Sequence, residues 1–250
     1  MDTEKQLTTH KKRLDHVLAQ LYPNYSRRQL QSWIVAGNVM VDGIAVSKNS
    51  YPIFDGMEVE LVVEKPKYVS RAGFKLESAL DHFHLEVSDK TILDAGLSTG
   101  GFTDCLLQHG AKKVYGVDVG FDQVHGDIRA DDRVVVMEHV NVRELPTLDE
   151  LVDMVTLDLS FISVLKVMDT VKRVLRQKGD LVVLIKPQFE VGKHAVGRGG
   201  IVKDAAEHKR AILLVTSGIE LAGFTQVGVI DSPLEGADGN KEFLAYFIKN

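Results

Sequence analysis

The chain has 250 residues, of which 44% are hydrophobic, and a formal net charge of -5. This length suits one large core or a small domain joined to a medium one. No stretch approaches the roughly 18 consecutive apolar residues of a membrane helix, and the polar residues 1–6 lack the apolar core of a signal peptide. We therefore expect a cytoplasmic protein with no membrane partner.

The cysteine and histidine content argues against a metal centre. The single cysteine, Cys105, excludes an intramolecular disulfide and any zinc site built from cysteines. His82 and His84 would point to different faces of a helix, and no other spacing among the nine histidines suggests ligands. We predict no metal site, and we expect Cys105 to be a small buried residue on a helix.

Positive charge is concentrated at the start of the chain. Residues 1–50 contain seven basic and four acidic residues, a local charge of +3, which leaves -8 for the remainder. Phosphate binding requires local positive potential rather than a positive total. The asymmetry favours an N-terminal segment that binds nucleic acid, although charged helix faces are often exposed to solvent without binding a partner.

The first fifty residues predict two helices. Apolar residues recur at helical spacing between positions 14 and 21, which predicts a helix over about 11–21. Its first turn would contain Lys11, Lys12 and Arg13.

Ser26 is the predicted N-cap of the second helix, and Gly37 its left-handed C-terminal residue. Arg27 and Arg28 fall in the first turn, where the helix dipole disfavours cations, so an anionic partner is favoured there.

Two hairpin signals follow. Residues 39–46 contain Asp42-Gly43 between apolar runs, and residues 54–57 precede the alternating positions 59–63. We predict a small α+β domain over residues 1–62, then a charged, proline-containing linker over residues 63–69. The segment resembles the alpha-L RNA-binding module of a small-subunit ribosomal protein, pseudouridine synthases and tyrosyl-tRNA synthetases. The resemblance is carried by residues 13–15, 26–28, Ile34, 37–39 and 41–43.

From residue 70 onward, apolar strands alternate with helical segments, which is typical of a doubly wound α/β sheet. Seven strands are predicted, at residues 91–93, 113–117, 134–137, 154–157, 180–185, 225–230 and 242–248. The predicted fold is a seven-stranded, Rossmann-like methyltransferase domain over residues 70–250.

A glycine-rich turn follows the first of these strands, at residues 94–101 (DAGLSTGG). It lacks the G-x-G-x-x-G spacing of a dinucleotide site and begins with Asp94. A carboxylate would repel a pyrophosphate but suits the amino-acid end of S-adenosylmethionine. We therefore predict an S-adenosylmethionine site. Its candidate residues are Asp94, Gly96, Ser98, Thr99, Gly100, Gly101, Phe102, Asp118, Asn141 and Asp158.

Two of these residues are predicted to contact the nucleoside part of S-adenosylmethionine. Asp118 closes the second strand, where an acid accepts hydrogen bonds from a ribose diol. Asn141 follows the third strand and would either read the adenine edge or cap the loop, and the sequence leaves both open.

Four further blocks complete the pattern: residues 70–76 (SRAGFKL), 157–161 (LDLSF), 185–190 (IKPQFE) and 240–243 (NKEF). They resemble the TlyA family, formerly called hemolysin A, over nearly the whole chain. The resemblance implies an FtsJ-like ribose 2'-O-methyltransferase that uses S-adenosylmethionine to methylate cytidines of small- and large-subunit ribosomal RNA. It also implies a catalytic tetrad of Lys75, Asp158, Lys186 and Glu242.

The chemistry is consistent with those residue types, because a ribose hydroxyl is a poor nucleophile and needs a positioned group to handle its proton. Lys186 follows an apolar strand and lies at a carboxyl strand end, where open sheets bind ligands. We expect it to accept or direct the hydroxyl proton, with a pKa lowered by burial and by Lys75. Asp158 would orient Lys186, and Glu242 would hold Lys75 or Lys186.

Ribosomal RNA or a ribosomal subunit is the expected partner. Residues 191–200 are rich in glycine and cations, which fits either a loop that closes over RNA or a disordered surface loop. The candidate RNA-binding residues are Lys11, Lys12, Arg13, Arg27, Arg28, Arg71, Lys193 and Arg198.

Three other functions remain as alternatives. A catalytically silent ribosome-assembly factor would keep the fold, but the complete tetrad argues against it. A hemolysin-type membrane-active protein would need an exposed amphipathic or spanning segment, and none is evident. A nicotinamide-dependent oxidoreductase is disfavoured by the spacing of the glycine loop.

Overall fold

The computed structural model describes residues 11–23, 25–62, 66–192, 195–236 and 238–250. The chain divides into two compact units, Met1–Pro66 and Lys67–Asn250. Among the described residues, no helix is both long enough and apolar enough to span a bilayer.

The first unit is a small α+β domain. In chain order its elements are β1 (Lys12–Arg13), α1 (Leu14–Leu21), α2 (Arg27–Val35), β2 (Val39–Val41), β3 (Ile44–Ala45), β4 (Pro52–Ile53) and β5 (Val59–Leu61). The two helices pack on the short strands around a core of buried aliphatic residues. That core consists of Leu14, Leu18, Leu30, Ile34, Val39, Val41, Val46 and Ile53.

The first predicted helix begins later than expected. Lys12 and Arg13 form β1, which pairs antiparallel with β4, so they do not occupy the first turn of α1. The Leu14 N–H donates to the Tyr51 carbonyl at 2.9 Å, which ties the start of α1 to the chain before β4. Tertiary strand pairing therefore overrides the helical periodicity at this end.

The second helix matches its predicted ends. The Ser26 hydroxyl accepts a hydrogen bond from the Gln29 N–H at 3.3 Å, as an N-cap does. Gly37 has a φ of +79°, and its N–H donates to the Ile34 carbonyl at 2.9 Å. The left-handed residue that ends α2 is thus confirmed.

One of the two predicted hairpins forms. β2 and β3 pair antiparallel through a turn in which Asp42 and Gly43 both have positive φ. The second hairpin is wrong, because β4 pairs with β1 whereas β5 pairs with β2. The turn before β5 has the glycine that its sequence indicates, but its flanking strands belong to different sheets.

The second unit is built around a seven-stranded sheet. Its strands are β6 (Thr91–Ala95), β7 (Lys113–Val117), β8 (Val134–Met137), β9 (Val152–Leu157), β10 (Leu175–Ile185), β11 (Phe224–Asp231) and β12 (Phe243–Lys249). The order across the sheet is β11-β12-β10-β9-β6-β7-β8, and β12 runs antiparallel to both neighbours. All seven predicted strands are therefore confirmed.

Helices cover both faces of this sheet. They are α3 (Ala72–Phe83), α4 (Gly101–Gln108), α5 (Gly126–Arg129), α6 (Met168–Val174), α7 (Pro187–Glu190) and α8 (Ala205–Leu221). Alternate strand residues point to opposite faces, so the sheet separates two cores. One core contains residues of α6 and α8, and the other contains residues of α3 and α4, including the buried Cys105.

Three residues of the predicted linker pack within the second unit. The Tyr68 ring is buried, and its hydroxyl donates to Glu77 Oε1 at 2.9 Å. The Val69 N–H donates to Asp104 Oδ2 at 2.7 Å. Residues 67–69 therefore belong to the packed start of the second unit, whereas residues 63–65 lie outside the described residues.

The turn between β2 and β3 provides a test of backbone strain. A Cβ at Gly43 would meet nothing within 4 Å, so Gly43→Ala isolates the effect of a φ of +77°. We expect the variant to lose about 1–2 kcal/mol of unfolding free energy, because L-residues are penalised in the left-handed region. Chemical denaturation of the full-length protein measures the loss of each variant in the unfolding transition of the unit that contains it.

The matched control is Gly126→Ala, which also meets nothing within 4 Å but lies in the first turn of α5. It should be neutral or slightly stabilising, since alanine favours helix. Equal losses in both variants would contradict a conformational cause.

Candidate active site

The carboxyl ends of four parallel strands surround one cavity of about 480 Å³. Its walls come from the loops that follow β6, β7, β8 and β9. Of the residues predicted to bind the cofactor, five line this cavity: Gly96, Ser98, Asp118, Asn141 and Asp158. The cavity therefore lies where ligands bind in open α/β sheets.

The loop after β6 approaches the loop after β9 so closely that only glycine fits. Gly96 has a φ of +95°, and a Cβ there would overlap the carbonyl oxygen of Asp158. The Asp158 N–H donates to the Ala95 carbonyl at 2.9 Å. This contact fixes the backbone of Asp158 beside the cavity floor.

Asp118 is held at the cavity wall by backbone donors. Its Oδ2 accepts the Ser98 N–H at 2.8 Å, and its Oδ1 accepts the Gly120 N–H at 2.7 Å. Each carboxylate oxygen keeps a further lone pair for a ligand. The carboxylate is therefore oriented before anything binds, and it can accept hydrogen bonds from a vicinal diol.

Asp94 lies in the packed interior at the end of β6. It is fully buried and does not line the cavity. Its Oδ2 accepts the Thr103 hydroxyl at 2.7 Å, and its Oδ1 accepts the Thr156 hydroxyl at 2.9 Å. Asp94 thus links β6 to α4 and β9, and its predicted contact with the amino-acid end of a cofactor stays a prediction.

Burial also changes the ionisation of Asp94. Removal from water raises the pKa of this carboxyl to about 6, although the two threonine hydroxyls partly stabilise the charge. The nearby Asp158 raises the pKa further.

The rest of the glycine loop lies behind the cavity. Phe102 is buried in the core that α3 and α4 share, and a Cβ at Gly101 would overlap the Ser70 hydroxyl. A Cβ at Gly100 would come within 2.9 Å of the Ile128 side chain. Thr99, Gly100, Gly101 and Phe102 do not line this cavity, and their predicted contact with a cofactor stays a prediction.

Asn141 caps a short helix at the cavity, and its predicted contact with an adenine edge stays a prediction. Its Oδ1 accepts hydrogen bonds from the Arg143 N–H at 3.1 Å and from Arg143 Nε at 3.3 Å. It therefore caps the short 3-10 helix Val142–Glu144 while lining the cavity.

Several lining residues were not predicted. They include Val119, Gly120, Gln123, Arg143, Ser160, Phe161 and Ile162. All follow the carboxyl end of a parallel strand, which is the signal that sequence alone offers. It is too weak to choose among loop residues, because loop conformation decides which of them reach the cavity.

Two ion pairs involve the four predicted catalytic residues. Lys75 Nζ lies 2.6 Å from Glu242 Oε2, and both side chains are buried. Lys186 Nζ lies 2.7 Å from Asp158 Oδ1 and donates to the Ser160 hydroxyl at 3.1 Å. The geometry thus resolves one alternative, because Glu242 pairs with Lys75.

Strand order explains why these pairs form. Lys186 directly follows β10, Glu242 directly precedes the antiparallel β12, and their neighbours Ile185 and Phe243 are register partners. Asp158 directly follows β9, the parallel neighbour of β10. The sheet therefore brings residues that are distant in sequence to one edge, beside α3, which carries Lys75.

The described RNA-binding candidates are all exposed. In the first unit these are Lys11, Lys12, Arg13, Arg27 and Arg28, and in the second unit Arg71 and Arg198. Arg13 is partly engaged, because its guanidinium contacts the Asp15 carboxylate at 2.9 Å. Lys193 lies outside the described residues.

Comparison with known families agrees with this architecture. Residues 68–249 match the family described as FtsJ-like methyltransferase, and residues 12–59 match the S4 domain. The chain belongs to the FtsJ-like methyltransferase family. The expected N-terminal module of this FtsJ-like protein is confirmed as an S4 domain.

Two relatives narrow the family. Hemolysin A of Brachyspira hyodysenteriae is 43% identical over 226 residues, which cover 89% of this chain and 94% of that protein. TlyA of Mycobacterium tuberculosis (strain CDC 1551 / Oshkosh), named a 16S/23S rRNA (cytidine-2'-O)-methyltransferase, is 41% identical over 88% of this chain and 84% of its own. This FtsJ-like methyltransferase belongs to the TlyA and hemolysin A group.

Solved structures agree with the fold. A hemolysin-named protein from Streptococcus thermophilus has a TM-score of 0.73 and 40% identity, covering 96% of this chain and 89% of that chain. An S-adenosylmethionine-dependent methyltransferase from Mesorhizobium loti has a TM-score of 0.53 and 17% identity, covering 69% and 96%. The second likeness concerns the fold alone, and the expected methyltransferase fold is confirmed.

The raised pKa of Asp94 predicts a pH dependence of stability. Between pH 3.8 and about 6, the folded protein binds more protons at Asp94 than the unfolded chain does. The contribution of Asp94 to stability is therefore full below this window and is lost as the pH rises through it. Asp94→Asn removes the titration. From pH 4.5 to 7, the variant should gain about 2 kcal/mol of unfolding free energy relative to wild type.

Urea denaturation at several pH values measures this difference. The control is Asp132→Asn, which removes an exposed carboxyl. Parallel stability curves for wild type and Asp94→Asn would show that Asp94 titrates alike in the folded and unfolded states.

Proposed function

We propose that this chain is an S-adenosylmethionine-dependent methyltransferase that acts on the 2'-hydroxyl of cytidine in ribosomal RNA. The proposal rests mainly on two ion pairs, Lys75–Glu242 and Lys186–Asp158. They lie at the edge of the sheet where the loops enclose a ligand-sized cavity. The substrate follows from the names of relatives that share most of the chain.

The residues around the cavity fit the proposed cofactor. Asp118 offers two oriented acceptors for a ribose diol, and Gly96 lets a ligand approach the backbone closely. The cavity of about 480 Å³ is within the usual range for small-ligand sites. When bound, S-adenosylmethionine would supply an electrophilic methyl group on a positively charged sulfur.

The four charged residues would handle the proton of the attacking hydroxyl. Lys186 would accept or direct that proton, and Asp158 and Ser160 would fix the direction of its amine. Glu242 would hold Lys75 as a second, fixed positive charge near the same edge. Groups held in this way act as a unit, so the loss of one would remove most of the rate.

The S4 domain would bring the structured RNA to this site. The family description and the exposed Arg27 and Arg28 at the start of α2 support this role. Basic groups at a helix N-terminus, where backbone N–H groups are free, suit phosphate oxygens.

Two alternatives predict different results in two assays, methyl transfer to RNA and dye release from vesicles. In the presence of labelled S-adenosylmethionine, the purified protein should transfer methyl groups to ribosomal RNA or a ribosomal subunit. A silent assembly factor would bind the RNA without transfer. A membrane-active protein would release dye from lipid vesicles, which we do not expect.

The role of Lys186 is tested by substitution. Lys186→Ala should lower kcat for methyl transfer by at least about 100-fold while leaving S-adenosylhomocysteine affinity unchanged, because the lysine acts on the hydroxyl rather than on the cofactor. The control is Lys166→Ala, which removes an exposed lysine from the 3-10 helix after β9. Wild-type turnover in Lys186→Ala would exclude the assigned role.

The role of Asp118 predicts the opposite pattern. Asp118→Ala should weaken S-adenosylhomocysteine binding by roughly 10- to 100-fold, because two charged acceptors are lost. Isothermal titration calorimetry measures it. Asp132→Ala, which removes an exposed acid that does not line the cavity, is the control. Equal affinities in the two variants would mean that Asp118 does not contact the ligand.

The S4 domain predicts a salt-dependent contribution to RNA affinity. The double variant Arg27→Gln/Arg28→Gln should weaken RNA binding and reduce the slope of affinity against salt by about 1–2. Cofactor affinity should not change. The charge-matched control is Lys209→Gln/Arg210→Gln on α8. An unchanged salt slope would argue against phosphate contacts at α2.

A further inference from the structure

The proposed catalytic pair depends on two separate loops. Asp158 lies in the loop after β9, and Lys186 precedes α7 after β10. Near the cavity, the loops meet through the Lys186–Asp158 ion pair, the Lys186–Ser160 hydrogen bond and the Phe161–Phe189 ring contact at 5.4 Å. Lys186 takes part in two of these links, and it is the group expected to meet the substrate hydroxyl.

A further link lies away from the cavity lining. Glu190, the last residue of α7, is buried, and its Oε1 accepts the Val164 N–H at 3.0 Å. Val164 begins the 3-10 helix that follows the Asp158 loop, and Ser163 caps that helix. The bond therefore ties the far end of the Asp158 loop to the turn that carries Lys186.

A buried carboxylate at position 190 is energetically unfavourable. Burial raises the pKa of Glu190, although hydrogen bonds from the Ser163 side chain and the Val164 N–H oppose the rise. Removing a charged carboxylate from water costs free energy, so stability alone would favour an apolar side chain here. The carboxylate accepts the Val164 N–H, and the first N–H groups of a helix have no acceptor within the helix itself.

We propose that Glu190 is a positioning residue: it clamps the Asp158 loop to α7, so that Asp158 keeps Lys186 oriented while Lys186 engages the nucleotide hydroxyl. Its catalytic effect rests on the proposed function. When Lys186 turns toward a substrate, its own bonds to Asp158 and Ser160 weaken, whereas the Glu190 bond and the Phe161–Phe189 contact do not involve Lys186. Small losses of alignment at a reacting centre lower rates strongly.

Three variants test the clamp in the full-length protein. Glu190→Ala removes the acceptor, and kcat should fall on the order of 10- to 100-fold with little change in cofactor affinity or in KM for RNA. Glu190→Gln keeps an amide oxygen for the Val164 N–H, so it should retain kcat within about threefold of wild type. Glu220→Ala removes an exposed glutamate of α8 and should leave kcat unchanged.

Retention of kcat in Glu190→Gln distinguishes a positioning role from proton transfer by Glu190. A residue that transfers a proton would lose activity in both Glu190 variants, and that result would overturn the proposal. Wild-type kcat in Glu190→Ala would overturn it as well. If thermal melting shows that Glu190→Ala is not folded, Glu190→Asp replaces it. Aspartate keeps the charge but is one methylene too short to reach Val164, and the same fall in kcat is expected.

A second readout does not depend on methyl transfer. Trace acetylation of lysines, quantified by mass spectrometry with the exposed Lys209 as internal reference, reports how firmly Lys186 is paired. Lys186 should react several-fold faster in Glu190→Ala than in wild type or Glu190→Gln. If the wild type transfers no methyl group, the proposed function fails, and this labelling still decides whether the clamp exists. Equal labelling in all three proteins would show that it does not.

Discussion

The contact between the backbones of Gly96 and Asp158 is the constraint on which the rest of the site depends. It holds the loop after β6 against the loop after β9 at a separation that no Cβ permits. One side of this contact forms the floor of the cavity, and the other carries the carboxylate that pairs with Lys186. A single backbone approach thus links the ligand cavity to the proposed proton-handling residues.

Buried polar side chains reinforce this contact from behind. Asp94 binds one threonine of α4 and one of β9, which fixes the ends of the strands from which both loops depart. Asn240, also buried, accepts the Val202 N–H at 2.9 Å and donates to the Gly200 carbonyl at 3.0 Å, just before Glu242 in the chain. These groups lie within the fold, and their hydrogen bonds orient the segments that carry the proposed catalytic residues. Such support is what a site needs to hold reacting groups in register.

Much of the fold follows from local sequence. Each strand of the large sheet is a short apolar run between turn signals, and the glycine loop marks the first crossover. Arg13 shows the limit of periodicity, because pairing with a distant strand removes it from the helix that its neighbours predict. The second hairpin fails for the same reason: the sequence shows where β5 begins, but the partner of a strand is a tertiary property.

The pairing of Asp158 with Lys186 was predicted, but the sequence left the partner of Glu242 open and missed several lining residues. Lys75 and Glu242 are separated by 167 positions, and only the antiparallel β12 brings them within 2.6 Å. Asp94 accepts one threonine hydroxyl at each of its oxygens, and neither threonine is conspicuous in the sequence. Loop residues such as Phe161 were missed because their direction depends on a left-handed backbone that no local motif signals.

We propose that the residues at this edge of the sheet let the protein methylate a ribose hydroxyl of ribosomal RNA. The most direct measurement is a map of 2'-O-methyl groups on ribosomal RNA from cells with the gene for this chain, without it, and with only a Lys186→Ala copy. The account predicts at least one cytidine whose 2'-O-methyl group is present in the first case and absent in the other two. Identical maps in all three, or a methyl group that Lys186→Ala still installs, would contradict it.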